Sequence, residues 1–596
     1  MVRSTLRRYA AALLGFAALF TSFRMARLEG WDDAFYVAQL TSLAGDRDLL
    51  LQDDLLALWS PFPRRLRSIT ETTDEGLLHN TFSIGPAVAH SSYAWPVIAA
   101  APPGIPRGLR STLALGSMAC LVLTVLAMRQ VLVRLGYGDA TASLAAGLAI
   151  VAGPLALYGT RTYLGSHLLT AFFISILLLA GLRWLDHARP RDALLLGVAG
   201  GLLVITRWQD LLLLVLLVPA VCVRLVAKDA SAGRRRLGLG LAAIMFAVAV
   251  SSQLLAWHVQ YGTWLTMPQG PGYMRWDQPQ LVAFVASTYH GLVPWMPAYA
   301  LALLAAPFAR LSTPDARALR LGVAAAIGLA VYASAVAVDW YGGESYGPRR
   351  LSSLAPLAAI GFASLLDRLA TWARVLATLV VVSWAAFTLT AFVSGHDDLS
   401  VVFGAEPSRW HPTDVASRGG HWIDRPGEWP RMLRPGFSFS DRPRARDRVI
   451  GLAATAVVFA AAWGAWRALA RSARLQRATV AAACAWLAFG AAFLAWGVAP
   501  AGGANAAWRT AIADREVPPD AWKAPGLADA ARVVAAAHAY QLGDEERARQ
   551  LLDALDAPSA VHVDLRDLAG ATADPGASAD LRALREGRTL LEHRRP

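Results

Sequence analysis

Cysteine is nearly absent from this 596-residue chain. There are three, Cys120, Cys222 and Cys484, and each lies inside an apolar run. With none in an exposed loop, neither a disulfide framework nor a thiolate metal site is expected. Charge is scarce as well: only 17% of residues are charged and 55% are hydrophobic. That is too apolar for a soluble protein of this size and predicts an all-α polytopic membrane protein. No Gly-rich phosphate loop is present, so no soluble nucleotide-sugar site is expected. No small-residue cleavage site precedes Arg24, so the basic head and apolar run of residues 1–20 read as a first permanent span.

What charge there is carries the topology. The net charge is +13, a value that often signals nucleic-acid binding. Here the excess resides in segments 1–8, 129–140, 182–192, 224–236, 310–320, 367–374 and 467–477, which hold 22 Lys+Arg against 6 Asp+Glu. Short basic loops between apolar spans orient a membrane protein with those loops in the cytoplasm, so no nucleic-acid partner is expected. About thirteen transmembrane helices follow, at 9–23, 112–133, 141–158, 168–182, 193–206, 211–227, 237–255, 291–309, 321–338, 351–366, 375–394, 449–466 and 478–497. The amino terminus is inside and the carboxyl terminus outside.

This topology divides the chain. Residues 1–394 form a transmembrane module with a long first outer loop, 24–111. Residues 395–447 form a further outer loop, 448–497 two more transmembrane helices, and 498–596 an outer helical tail. Within the first loop, Phe82–Ala101 contains Gly85, Pro86 and Pro96 and reads as an amphipathic segment on the outer surface. In the tail, Ala528–Ala557 reads as two amphipathic helices around Gly543-Asp544.

The unusual polar residues fall on the outer side. Trp31-Asp32-Asp33 opens the first outer loop. Adjacent carboxylates at a bilayer surface repel each other, and one of them can act as a general base on an acceptor hydroxyl. The other reading is an acidic loop start. The following residues, including Tyr36, look like an amphipathic helix with the pair at its amino end. Asp46-Arg47-Asp48 can hold a divalent cation against a phosphate through Asp46 and Asp48, or can be a polar loop. Arg349-Arg350 ends a Gly-rich stretch and begins a span. Guanidinium at a helix amino terminus suits phosphate, and two outside arginines run against the orienting rule. His167, His290, Arg161, Arg207, Asp210, Arg275 and Glu344 complete the outer set. Arg207 and Asp210 can also simply pair with each other.

Taken in order, these stretches resemble the C-type superfold of integral-membrane glycosyltransferases that use polyprenyl-phosphate sugars. Protein O-mannosyltransferases and lipid A aminoarabinose transferases belong to it. The likeness covers roughly residues 8–390. It lies in Asp32-Asp33 with Tyr36, Gly45-Asp46-Arg47-Asp48, Phe82–Ala87, Ser166-His167, Arg207-Trp208-Gln209-Asp210, His290-Gly291-Leu292 and Gly342–Arg350. The resemblance implies that Asp32 or Asp33 is the catalytic base. It further implies a polyprenyl-phosphate sugar as donor and a glycan, lipid or protein as acceptor, in the cell (inner or plasma) membrane with the active site outside. Arg349, Arg350, Arg275 and Arg207 are then the candidates for the donor phosphate, and His167, His290, Tyr36 and Glu344 for substrate contacts. The rival expectation is a transporter or flippase of lipid-linked saccharides, which predicts mid-span charges and broken helices in matching halves. A third is a non-catalytic assembly protein docking through its tail.

Overall fold

The computed structural model describes residues 28, 31–46, 49–59, 73, 77–100, 105–106, 108–227, 231–343, 345–393, 397–403, 405–406, 409, 457, 460–469, 471–488, 532–533, 535–536, 539–540 and 544–554. Among these the chain is helical, with no strand and with isolated backbone bridges that include Met274 with Ala337 and Tyr289 with Asp398. The chain divides into two compact units, one comprising 27–109, 252–268 and 490–596, the other 1–26, 110–251 and 269–489.

The smaller unit opens with α1 (Trp31–Thr41), which carries Asp32 and Asp33 in its first turn. Acidic residues suit that position because the first-turn N–H groups have no helical acceptor. After Thr41 the chain widens into a π turn, Ser42–Asp46, and then forms α2 (Gln52–Trp59). The third helix, α3 (Gly85–Ala99), starts with proline in its first turn, where the missing N–H costs nothing, and contains Pro96. It packs on α1 and buries Ala87, Val88, His90, Ala94 and Ile98. The expected surface segment at 82–101 is therefore a packed helix. It has 15 residues, fewer than a span needs.

The larger unit holds most of the apolar helices. They are α4 (Leu109–Arg134, whose first residue falls in the smaller unit), α5 (Asp139–Val151), α6 (Ser166–His187) and α7 (Pro190–Thr206). A nine-residue 3-10 stretch, Trp208–Leu216, leads into α8 (Val218–Val226). Then come α9 (Ala232–Tyr261, ending in the smaller unit), α10 (Pro297–Ala305), α11 (Ala316–Ala335), α12 (Ala355–Asp367) and α13 (Thr371–Val393). Five of these, α4, α6, α9, α11 and α13, are long and apolar enough to cross a membrane. The pair Trp208–Leu216 and α8, bent by 46°, makes a sixth if it is one span.

Thirteen spans are thus not reached among the described residues, and the shortfall has local causes. The run 141–158 breaks at Pro154, leaving α5 and the single turn Leu155–Tyr158. The run 291–309 is cut by Pro294 and Pro297 into Leu292–Trp295 and α10. The run 351–366 begins as a 3-10 segment, Arg349–Leu354, before α12 takes over. Residues 9–23 lie outside the described set, as do 449–456 and 489–497.

Small residues set the packing. Helices in lipid gain little from the hydrophobic effect and depend on close contact. A methyl at Gly361 of α12 would collide with the Ala302 carbonyl of α10, so only glycine lets these two helices meet. The α6–α7 hairpin turns at Ala188, in the left-handed region at φ 50°, before Pro190 starts α7. The three cysteines are free thiols, with Cys222 exposed on α8. In the tail, Asp544 accepts from the Arg547 N–H and caps α14 (Glu545–Asp553), and Ala548 packs with Ala536 and Tyr540, in line with a helical hairpin there.

Candidate functional site

Each unit holds one group of expected residues. In the larger unit the organising element is the loop 339–348 and the 3-10 segment that follows it. Gly342 and Gly343 take φ of 78° and 69°, conformations that residues with a Cβ rarely adopt. They fold the loop back so that the Gly342 N–H donates to the Asp339 carbonyl (2.6 Å). Tyr346 then fixes the loop to the core. Its N–H donates to the Tyr158 hydroxyl (2.9 Å), its own hydroxyl meets that of Thr388 (2.9 Å), and its ring stands edge-on to Trp295.

Successive residues of the 3-10 segment reach different parts of the protein. Arg350 pairs with the Asp339 carboxylate (2.5 Å), donates to the Tyr273 hydroxyl (2.5 Å) and reaches Gln209 (3.4 Å). The Arg350 carbonyl accepts from Arg207 (3.2 Å). The Leu351 carbonyl accepts from the Tyr299 hydroxyl (2.9 Å). Ser352 Oγ lies 2.9 Å from His167 Nδ1, and Ser353 Oγ donates to Asp210 (3.1 Å). Arg207, Arg349 and Arg350 all lie within electrostatic reach of His167.

His290 sits on the same loop system. It is buried, takes φ 58°, stacks on Tyr289 (4.2 Å) and lies edge-on to Trp295. Its Nδ1 is 3.0 Å from the Tyr341 carbonyl, which can only accept, so Nδ1 carries the hydrogen. Nε2 is then a buried acceptor with no hydrogen-bond partner. Burial pushes the imidazole down to about 4, and the Arg349 charge acts in the same direction. Near neutral pH His290 is therefore an uncharged acceptor.

The larger unit thus brings together Arg207, Arg349, Arg350, His167 and Asp210 around one short helix, with His290 in reach of Arg349. Arg350 is committed to Asp339, a pairing the sequence reading did not foresee. Asp210 takes the Ser353 hydroxyl and also lies within electrostatic reach of Arg207, the partner that sequence alone offers it. Arg275 is exposed on the strand-like stretch whose N–H donates to the Val336 carbonyl (2.8 Å), two residues from Tyr273. Glu344 lies outside the described residues. Tyr273, Ser352 and Ser353 were not anticipated, since single hydroxyls in or beside apolar runs carry no signal of their own.

In the smaller unit, Asp33 is 7% exposed at the start of α1. Burial, followed by the neighbouring Asp32 charge, pushes its carboxyl up to about 8. Tyr36 is buried one turn on, with its ring edge-on to Phe82 (5.1 Å) and Phe35 beside the same ring (5.0 Å). Gln39 donates to the Phe82 carbonyl (3.1 Å), and the Phe82 N–H donates to Asn80 (3.0 Å). Asn80 accepts from the Tyr261 hydroxyl (2.7 Å), and the Ile84 N–H donates to Gln253 (2.9 Å). The 80–84 turn is thereby held between α1 and the end of α9. Asp46 closes the π turn, but its side chain and the whole of Asp48 lie outside the described residues. Among the described residues no three His, Cys, Asp or Glu side chains form a group able to hold a metal ion.

No protein-family model and no curated protein matches the chain.

Proposed function

We propose that this protein is a membrane glycosyltransferase that moves a sugar from a polyprenyl-phosphate carrier to an acceptor hydroxyl on the extracytoplasmic side. The observation that carries the reading is the gathering of Arg207, Arg349 and Arg350 at the start of one helix, in a chain with several apolar helices. Guanidinium groups around a helix start suit a phosphate, which is the leaving group of such a reaction. The buried acid on α1 supports the other half of the chemistry, because a general base works best with a pKa near the operating pH.

In this reaction the Asp33 carboxylate takes the proton of the acceptor O–H. The oxygen attacks the anomeric carbon, and the bond from that carbon to the phosphate oxygen breaks. The bonding pair leaves with the phosphate, whose growing charge Arg349 and Arg207 stabilise. Arg350, held by Asp339 and Tyr273, positions the segment that carries Arg349, and its carbonyl accepts from Arg207. Neutral His290, and His167 beside Ser352, offer hydrogen bonds to sugar hydroxyls. A cation at Asp46 and Asp48 remains part of the proposal as an aid to the phosphate. The test is sugar transfer from polyprenyl-phosphate donors by the purified protein in liposomes, together with mass spectrometry of envelope glycans in cells with and without it. No transfer from any such donor, with envelope glycans unchanged, would end this reading.

One observation favours the transporter alternative. The 46° break between Trp208–Leu216 and α8 is the kind of interrupted span that transporters use. A flippase would move lipid-linked sugar across liposomes without making a new glycosidic bond, and the same preparation measures both.

A further inference from the structure

Three basic loops, far apart in the chain, meet at a cavity in the larger unit. Its volume is about 630 Å³. Its lining includes Arg134, Arg183, Arg189, Arg191 and Arg471. Each is at or near a helix end. Arg134 ends α4, Arg183 is in the last turns of α6, Arg189 and Arg191 flank the start of α7, and Arg471 stands at the join between helical stretches 461–469 and 473–488. The apolar lining lies further inside the helices, at Phe173, Ile176, Leu195, Val198 and Val480. The cavity therefore has a cationic end and an oily body.

The cationic end is not neutralised by the protein. Arg134 pairs with Asp186 (2.8 Å), and Arg183 pairs with Asp192 (3.2 Å) while donating to Gln476 (3.0 Å). Arg189, Arg191 and Arg471 have no carboxylate partner among the described residues, and the buried Arg191 Nε has no hydrogen-bond partner. Three guanidiniums at the mouth of an apolar slot call for one ligand with an anionic phosphate at one end and a hydrocarbon chain at the other. These arginines belong to segments 129–140, 182–192 and 467–477, which the charge distribution assigns to the cytoplasmic face, where membranes carry anionic lipid.

We infer that this cavity binds one anionic phospholipid of the cytoplasmic leaflet, with an acyl chain along Phe173, Leu195 and Val198 and its phosphate on Arg189, Arg191 and Arg471. The site is separate from the arginine group at 349–350 and does not depend on the proposed transfer reaction. It makes the C-terminal hairpin, which supplies Arg471 and Val480, a lipid-held part of the larger unit.

Native mass spectrometry of the full-length protein tests this, after exchange into equal amounts of phosphatidylglycerol and phosphatidylcholine with matched chains. One retained phosphatidylglycerol is expected, preferred by roughly 10-fold or more. R189Q/R191Q/R471Q should lose the preference with helix content unchanged by circular dichroism. Leu195→Trp fills the slot while keeping every arginine, so it should reduce retention of both lipids by a similar factor even if the triple variant folds poorly. Equal retention of the two lipids by the unaltered protein would overturn the inference, as would a preference that survives in the folded triple variant. Displacement of the lipid by millimolar inorganic phosphate would make this a free-anion site, and selective retention of added polyprenyl phosphate would make it a carrier site. Either result also overturns it.

Discussion

The arginine group around Arg349–Leu354 and the acid pair on α1 handle buried charge in opposite ways. Arg350 has a side chain only 9% exposed, and it is met by a carboxylate, a phenol and an amide. Asp33 is buried as well, but it stands beside another acid, and burial followed by the Asp32 charge lifts its carboxyl to about 8. The difference follows from the chemistry of the two groups. A guanidinium cannot shed its proton in a protein, so burying it demands partners. A carboxylic acid can escape the cost of burial by holding its proton, which leaves a group able to give and take that proton near neutral pH. Fixed charge suits a clamp, and movable charge suits a base.

The largest expected effect breaks the comparison on the acid side. Asp33→Asn keeps the size and removes the proton acceptor, and turnover should fall by roughly 100-fold or more. Folding should not suffer, because the native acid is already largely neutral. Asp32 is the adjacent acid and its charge acts on Asp33, so Asp32→Asn belongs in the same experiment. If Asp32→Asn abolishes turnover while Asp33→Asn leaves it near normal, the base is Asp32. Full activity in the double variant removes the pair from the mechanism.

The arginine side should split into two kinds of loss. Arg349→Ala should raise the donor Kd and lower turnover by about 10- to 100-fold with Tm unchanged, and Arg349→Lys should fall between, since lysine keeps the charge without the fork. Arg350→Ala instead strands Asp339 and should cost about 2 kcal/mol of stability, seen as a lower Tm. Identical behaviour of the two variants would show that Arg349 and Arg350 share one role.

Stability against pH sharpens the contrast further, because the two sites slope in opposite directions. The folded Asp33 carboxyl is raised from 3.8 to about 8, so the folded state holds a proton that the unfolded chain releases. Stability from this group is greatest at low pH and declines as pH rises from about 4 to 8. His290 is depressed from 6.5 to about 4, so the unfolded chain takes the proton first. Stability from His290 is therefore present above about 6.5 and lost as pH falls towards 4. Asp33→Asn should flatten the upper slope and His290→Gln the lower one, in thermal unfolding measured across that range. Turnover of the unaltered protein should rise with pH towards about 8 as the base ionises. The smallest effect is a control outside both groups. Asp544→Ala removes the cap of α14 and should cost about 1 kcal/mol locally without touching turnover.

Much of the candidate chemistry was legible because charge in an apolar chain is conspicuous. Arg349-Arg350 at the start of an apolar run, Ser166-His167 at the start of α6 and the acid pair at the start of α1 could all be read from position. Partners could not. Nothing local links Arg350 to Asp339 and Tyr273, or Ser353 to Asp210, because those contacts depend on how the loop folds back at Gly342 and Gly343. Thirteen spans are not reached among the described residues for a related reason. Hydropathy averages over a window and passes through Pro154, Pro294 and Pro297, whereas the backbone must break or bend at each. The 3-10 winding of Trp208–Leu216 leaves no mark in composition at all.

That winding bears on how the protein fits its bilayer. A 3-10 helix rises about 2.0 Å per residue where an α-helix rises about 1.5 Å. Nine residues wound this way reach about 18 Å, against about 14 Å as α-helix, so with Leu217 and the nine of α8 the path from Trp208 to Val226 comes to about 33 Å along a line bent by 46°. If the bent pair forms one span, the 3-10 winding lengthens it by about 4 Å. Rewinding it to α would shorten it and draw Arg207, Gln209 and Asp210 towards the lipid, so the thickness of the surrounding membrane becomes a mechanical input to the site those residues build.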